Sequence, residues 1–365
     1  MIKRSSDLLL LFSTLFVIVL SSCETDVELL APYDETPVIY GILDYTADTQ
    51  FVRINKTFLG QGDPNQYASI KDSVEYDPAD VVAKIIKYDD DGDFLSEITL
   101  EPIDIPSRDP GVFYSEDVRF YYTTQQLLTE EQQANQEEYI FELNVTIKDE
   151  EYTAETRFPG LSESTIELPF LTSGDPQRLF FVLPSGTMNF VSETFRFTTD
   201  RFTASYSASF RMNFDYEQND GTVVEDAFID YNMGDFGNEE LVSQRDITIS
   251  LFGENLYTFW GNQLDLIPDL NEVRIQDFEF RVTGATPELN TYIEVSQPVS
   301  QFTPVLNSFT NISNGAIGLF SSVATRSRRA YISEPSLLKL NESPLTGSYS
   351  YCVQGWSGSE YLCTE

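Results

Sequence analysis

The sequence contains no histidine among its 365 residues. That absence removes Ser-His-Asp and Cys-His hydrolases, His-ligated metal centres and the commonest general acid–base. Positive charge is scarce too: 22 Lys and Arg stand against 59 Asp and Glu, a formal net charge of -37. Such acidity repels nucleic acid and anionic bilayers, and it reads first as a solvated, soluble exterior. Walker loops and dinucleotide fingerprints are missing, because the glycines are scattered at the ends of strand-like runs. There is no repeat of fixed period, no coiled-coil heptad and no low-complexity tract. What is present is a 41% hydrophobic, 13% aromatic composition, which argues for a packed fold over acidic disorder.

One apolar run stands out. Leu8 to Leu20 is broken only by Ser13 and Thr14 and follows the basic pair Lys3 and Arg4. It is shorter than the roughly 20 residues a spanning helix needs, but it suits a secretory signal. Leu20-Ser21-Ser22-Cys23 then resembles the lipobox of bacterial lipoproteins: a large aliphatic residue, two small ones, and a thiol that takes diacylglycerol. The expectation is a signal peptide over 1–22, cleavage before Cys23 and lipidation of Cys23. Acyl chains of the palmitate type would hold it to the membrane, each buried methylene adding about 0.8 kcal/mol. The expected address is the cell envelope, lipid-anchored at the outer membrane and facing either the periplasm or the surface.

Residues 23–36 are polar and acidic and read as a tether. From Pro37 the pattern turns to strands. Pro37–Asp44 is a compact apolar run, and Gln50–Lys56 alternates. Val81–Lys87 and Phe94–Leu100 flank Asp89-Asp90-Asp91-Gly92-Asp93 as a hairpin, and Tyr139–Ile147 with Tyr152–Phe158 form another. These strands predict an Ig-like β-sandwich over 37–159. Pro159-Gly160 and the turn-rich stretch through Pro169, Gly174 and Pro184 mark a boundary. Beyond it, Glu193–Thr199, Phe202–Tyr216, Asp246–Phe252 and Val273–Thr283 alternate, with short helices near 255–266 and 287–297. Thr310–Val323 supplies a late strand. The fold class predicted is mainly β, with two β-sandwich-like domains: 37–159, and a β-rich 160–365 carrying a few short helices.

Candidate site residues are few. Cys352 and Cys363 bracket a ten-residue segment that reads as a hairpin closing at Ser357-Gly358. In an oxidising compartment a disulfide across its base is plausible; two free thiols are the alternative. Without histidine, two thiolates rarely hold zinc, so no metal site and no cofactor are expected. The aspartate run near Gly92 has turn chemistry and lacks EF-hand spacing. Aromatic groups at Phe113-Tyr114, Phe120-Tyr121-Tyr122, Tyr257, Phe259 and Trp260 either fill β-cores or stack on a ligand. Tyr257 and Trp260 are carried forward as candidate ligand or partner contacts. So are Arg326, Arg328 and Arg329, the one basic cluster in an acidic chain. A carboxylate-pair hydrolase needs only two acidic residues, but among so many no pair is marked out.

Several segments together resemble a known family. Val38-Ile39-Tyr40-Gly41-Ile42-Leu43-Asp44, then Val52-Arg53-Ile54-Asn55-Lys56-Thr57-Phe58-Leu59-Gly60, then Asp72-Ser73, resemble the start of an uncharacterised envelope lipoprotein family of Bacteroidota. Thr310-Asn311-Ile312-Ser313-Asn314-Gly315-Ala316-Ile317-Gly318-Leu319-Phe320 resembles its N-I-x-N-G-x-G-x-F signature, with spacing one residue longer. The resemblance implies an envelope lipoprotein associated with TonB-dependent outer-membrane transporters, and it carries no catalytic residues. The function expected is therefore a non-enzymatic accessory or interaction subunit. The alternative is a glycan- or nutrient-binding surface lipoprotein that uses exposed aromatics.

Overall fold

Alternation along a strand sorts side chains to two faces, and the first strand obeys it: Ile39 and Leu43 are fully buried while Tyr40 and Ile42 face outward. A computed structural model of the chain describes residues 35–58, 64–106, 111, 114, 116–134, 138–161, 165–168, 178–183, 188–296, 309–347, 349–356 and 359–363. The signal segment, Cys23, Phe113, Pro169, Gly174, Pro184 and the Ser357-Gly358 turn lie outside the described residues.

The chain is mainly β. The first strands are β1 (Pro37–Asp44), β2 (Gln50–Lys56), β3 (Val81–Tyr88), β4 (Phe94–Ile105), β5 (Val118–Thr123), β6 (Ile140–Ile147) and β7 (Glu150–Arg157). After them come β8 (Ile166–Glu167), β9 (Arg178–Leu179), β10 (Ser192–Thr198), β11 (Ser205–Gln218), β12 (Val223–Gly237) and β13 (Asp246–Phe252). Last are β14 (Leu270–Ala285), β15 (Ile317–Ile332) and β16 (Ser350–Val353). The main ladder runs β12-β11-β14-β15-β1-β2-β5-β4-β3-β6-β7, with β16 also on β14 and β9 on β15; β13-β10-β8 form a second sheet.

β4 changes partners halfway along. Through Leu100 it pairs with β3, and from Glu101 it pairs with β5. The ladder thereby turns back on itself as a sandwich. Ile39, Val52 and Tyr121 from one layer pack with Ile85, Phe141 and Val145 from the other. A separate and larger core gathers Phe195, Phe197, Phe210, Phe278 and Phe280 from β10, β11 and β14. The helix Gly253–Leu264 adds Leu256, Tyr257, Trp260 and Leu264 to it.

β15 belongs to both halves. Its first residues run parallel to β1, from Val38↔Ile317 to Asp44↔Val323, and the rest runs antiparallel to β14 as far as Phe278↔Ala330. The segment before it is pinned to the sandwich by its own polar groups. Asn311 Nδ2 donates to Phe320 O at 2.7 Å while Phe320 N donates to Asn311 Oδ1 at 2.9 Å. Ser313 exchanges backbone and hydroxyl bonds with Thr153, and Ile312, Ala316 and Phe320 enter the first core. Gly318 is held at φ 142°, and a Cβ there would lie 1.7 Å from Ile39 O. The motif that resembles the family signature is, physically, the seat of this crossing strand.

Candidate functional site

The residues singled out from sequence do not converge. Tyr257 and Trp260 are wholly buried, so their expected role as ligand or partner contacts is corrected: they are core. Helical spacing explains it, since Gly253, Leu256, Tyr257, Trp260, Gly261 and Leu264 share the buried face of one helix. Tyr257 donates its hydroxyl to Ser336 O at 2.7 Å, and burial raises its pKa. Phe259 is half-buried, edge-on to Tyr231.

The arginine cluster is also not one basic patch. Arg326 donates to Gln133 Oε1 at 3.0 Å and lies over the Tyr45 ring. Arg328 donates to Ile166 O at 3.1 Å. Arg329, on the opposite face of β15, pairs with Asp277 at 2.8 Å. Strand alternation scatters these three charges, and each has a partner within the chain.

Cys352 and Cys363 are bonded to each other. The segment between them departs from the expected hairpin, because Val353 and Leu362 meet through a parallel bridge. Trp356 is tucked beneath, its Nε1 donating to Gln276 O at 2.7 Å. Asp89-Asp90-Asp91-Gly92-Asp93 closes as a turn: Gly92 N donates to Asp89 O and Asp93 N to Asp89 Oδ1, while Asp90 pairs with Arg157.

One group of outward-facing rings sits on the first sandwich. Tyr121 points inward, whereas Phe120 and Tyr122 on either side of it point out. Tyr122 pairs across the ladder with Phe51, which is 39% exposed and meets the Phe120 and Tyr122 rings at 5.8 and 6.2 Å. Tyr40 and Ile42 of β1 extend the same face, at 36% and 47% exposure. Tyr40 also meets Tyr292 of the helix Pro287–Ser296 edge-on at 6.1 Å. Burial, followed by the hydrogen bond with Tyr292, pushes the Tyr40 phenol up to about 12. Exposed apolar residues occur elsewhere too: Phe94 and Leu95 stand at 60% and 47% exposure with Phe94 edge-on to Tyr88, Phe228 is capped by the Arg211 guanidinium at 3.8 Å, and Leu266 stands at a helix end.

At one end of this face lies a groove of about 260 Å³, lined by Tyr40, Arg53, Asn55, Lys56, Glu75 and Tyr114 among others. A charged knot lies next to it through Lys71, whose Nζ is 3.9 Å from Glu75 and 5.6 Å from the Tyr114 ring centre. Arg119 grips Asp104 by two bonds of 2.7 Å, and Lys71 reaches Asp104 at 3.1 Å and Asp117 at 2.7 Å. The Arg119 hydrogen bond, then that of Lys71, holds the Asp104 carboxyl below its ordinary range, against some desolvation. The fold thus favours the charged form, so Asp104 stabilises it at neutral pH, and that contribution is lost as pH falls through the lowered value. Asp104→Asn should flatten the stability profile below about pH 4, and thermal melts across pH 3–7 would register it. The effect should be small, because the carboxylate is 34% exposed.

Among the described residues there is no group of three or more acidic or Cys side chains placed to hold a metal, and no helix long and apolar enough to cross a membrane. No family model matches the chain, and no curated protein matches it. Among solved structures it is similar to the C-terminal domain of the Streptococcus agalactiae AgI/II polypeptide BspA: 10% identity over 69% of this chain and 95% of that one, TM-score 0.15. A second is BspA_C_mut, at 9% identity over 70% and 95%, TM-score 0.13. Superpositions this loose carry no argument about fold or function.

Proposed function

We propose that this chain is a non-enzymatic, lipid-anchored envelope protein whose first sandwich presents a sheet face to a membrane partner. The observation that supports this reading is the face built by Tyr40, Ile42, Phe51, Phe120 and Tyr122 on three adjacent strands. Exposed apolar residues are ordinary when they stand alone; rings joined across strands mark contact surfaces. Aromatic side chains bury much area at little entropic cost, which is why they dominate binding hot spots.

The anchor gives this face its context. If lipid sits on Cys23, residues 24–36 can reach at most about 45 Å from the membrane, since an extended residue spans about 3.3–3.6 Å. β1 begins directly after that tether and carries two residues of the face. Tethering raises local concentration, so modest contacts suffice for occupancy. The partner class is the one the sequence resemblance implies, an outer-membrane TonB-dependent transporter.

The test is a gentle-detergent pull-down of the full-length protein from envelopes. A stoichiometric outer-membrane protein should come down with the wild type. It should be lost with Cys23→Ala, and reduced about tenfold or more with Phe51→Ser plus Tyr122→Ser. A wild type that reaches the envelope yet comes down alone would remove the accessory role.

A further inference from the structure

We infer that the open edge of β4 is a docking site for an extended peptide segment in which apolar and basic residues alternate. The inference stands apart from the membrane partner proposed above, since none of its residues belongs to the aromatic face. β4 meets β3 through Leu100 and meets β5 only from Glu101 onward, so among the described residues the other edge of 96–100 has no neighbouring strand. Lys148 N donates to Asp80 O at 2.7 Å, which sets the phase of the ladders on either side of β3. Ser96, Ile98 and Leu100 therefore bond back to β3, while Glu97 and Thr99 turn their N–H and C=O groups to the open edge. Both of these residues are exposed. Unfilled backbone groups of this kind are a template for strand addition.

The surroundings define the peptide. A groove of about 230 Å³ lies along this edge, lined by Ser96 and Ile98 and by Gln126, Leu127 and Thr129 of the chain after β5. Lys87 also lines it, but its ammonium is taken by Leu127 O and Gln132 Oε1, at 3.2 and 2.9 Å. The groove thus receives apolar side chains of an added strand, on the side of Ile98. Exposed Phe94 and Leu95 add apolar surface at the start of β4. Alternate residues of the added strand fall on the side of Glu97. That side is acidic: Lys84 meets Glu97 at 3.2 Å, but among the described residues no ion pair reaches Asp91 or Asp93 in the turn before β4, or Glu101 where β5 takes over. Lysine or arginine at the alternate positions complements these carboxylates. A second copy of this chain is the poorer occupant. Antiparallel pairing centred on Ser96 would set Asp91 opposite Glu101, pairing centred on Glu97 would oppose the two Glu97 carboxylates, and each copy carries a net charge of -37.

The test uses full-length protein in detergent micelles at physiological ionic strength, with the fluorescein-labelled peptide Lys-Val-Lys-Val-Thr-Val-Lys-Val-Lys as probe. The peptide should bind roughly tenfold more tightly than a scrambled one of the same composition, in which alternation is lost. Thr99→Pro should weaken it roughly tenfold, because proline removes an edge N–H and leaves the bonds to β3 in place. Asp91→Asn combined with Asp93→Asn should weaken it about threefold. Melting temperatures of the variants, read in parallel, separate lost binding from lost folding. Should Thr99→Pro unfold, Glu97→Lys replaces it, with the same fall expected, since a lysine on the edge blocks strand addition and repels the probe. No binding by the wild type, equal binding of the scrambled peptide, or affinity unmoved in folded variants would each overturn the assignment. So would a wild-type dimer that Thr99→Pro dissociates, which gives the edge to a second copy. Phe51 and Tyr122, which read out the membrane partner, lie outside this edge, so either proposal can fail while the other stands.

Discussion

Trp260→Ala is expected to lower the free energy of unfolding by about 3–5 kcal/mol, a large share of the ~5–15 kcal/mol typical of a domain. The ring has no exposed surface and packs against Phe210, Tyr257 and Phe278 at centroid distances of 6.4, 5.5 and 5.3 Å. Truncation removes those contacts and leaves a hole that a helix locked beneath a sheet cannot close. Trp260→Phe should cost only about 1–2 kcal/mol, because the indole Nε1 has no hydrogen-bond partner to lose among the described residues. Phe51→Ser, on the outer face, should change stability by less than about 1 kcal/mol. Urea denaturation of the three variants checks the series. Equal losses for Trp260→Ala and Phe51→Ser would refute the division into core rings and face rings.

Gly318→Val should be of similar size, about 3–5 kcal/mol, through a different mechanism. The backbone there sits at φ 142°, where L side chains are strained, and a Cβ would meet Ile39 O, Ile39 C and Ile39 N at 1.7, 2.6 and 3.0 Å. None of those atoms is the end of a flexible side chain, so β1 and β15 must separate. Amide hydrogen exchange of Val38–Asp44 should then accelerate far more than that of β10 and β13. Gly315→Ala is the matched control. Its φ of 76° carries strain of about 1–2 kcal/mol, but nothing lies within 4 Å of the added methyl.

What could be read from the chain, and what could not, follows from how much each element buries. β2, β6 and β7 hide one face and wet the other, so alternation reveals them, whereas β1 shows only as a compact apolar run. β12 carries no clear strand signal because it sits at the edge of the sheet, hides little, and holds Asp226, Asp230, Asn232 and Gly234, all poor strand formers. The partner of β15 could not be inferred, because pattern shows that a strand exists and says nothing of which distant strand it joins. Tyr257 and Trp260 were legible in principle. Their spacing with Leu256 and Leu264 marks one apolar helical stripe, a core signal that outweighs their aromatic character. The outward face was half visible: Phe120-Tyr121-Tyr122 must split by parity, yet only the neighbouring strands decide which parity is buried. Glu75 gave no signal at all, since one acidic residue among 59 is unmarked until its burial is seen.

The most direct test of the proposed docking face is site-specific photocrosslinking in intact envelopes, with the crosslinker placed at Phe51, at Tyr122 or at Leu266. Leu266 is 74% exposed and lies outside the face, so it reports chance encounters. One discrete crosslinked product shared by positions 51 and 122 and absent from position 266 is expected. The same faint smear from all three positions, or a product at 266 alone, would contradict it.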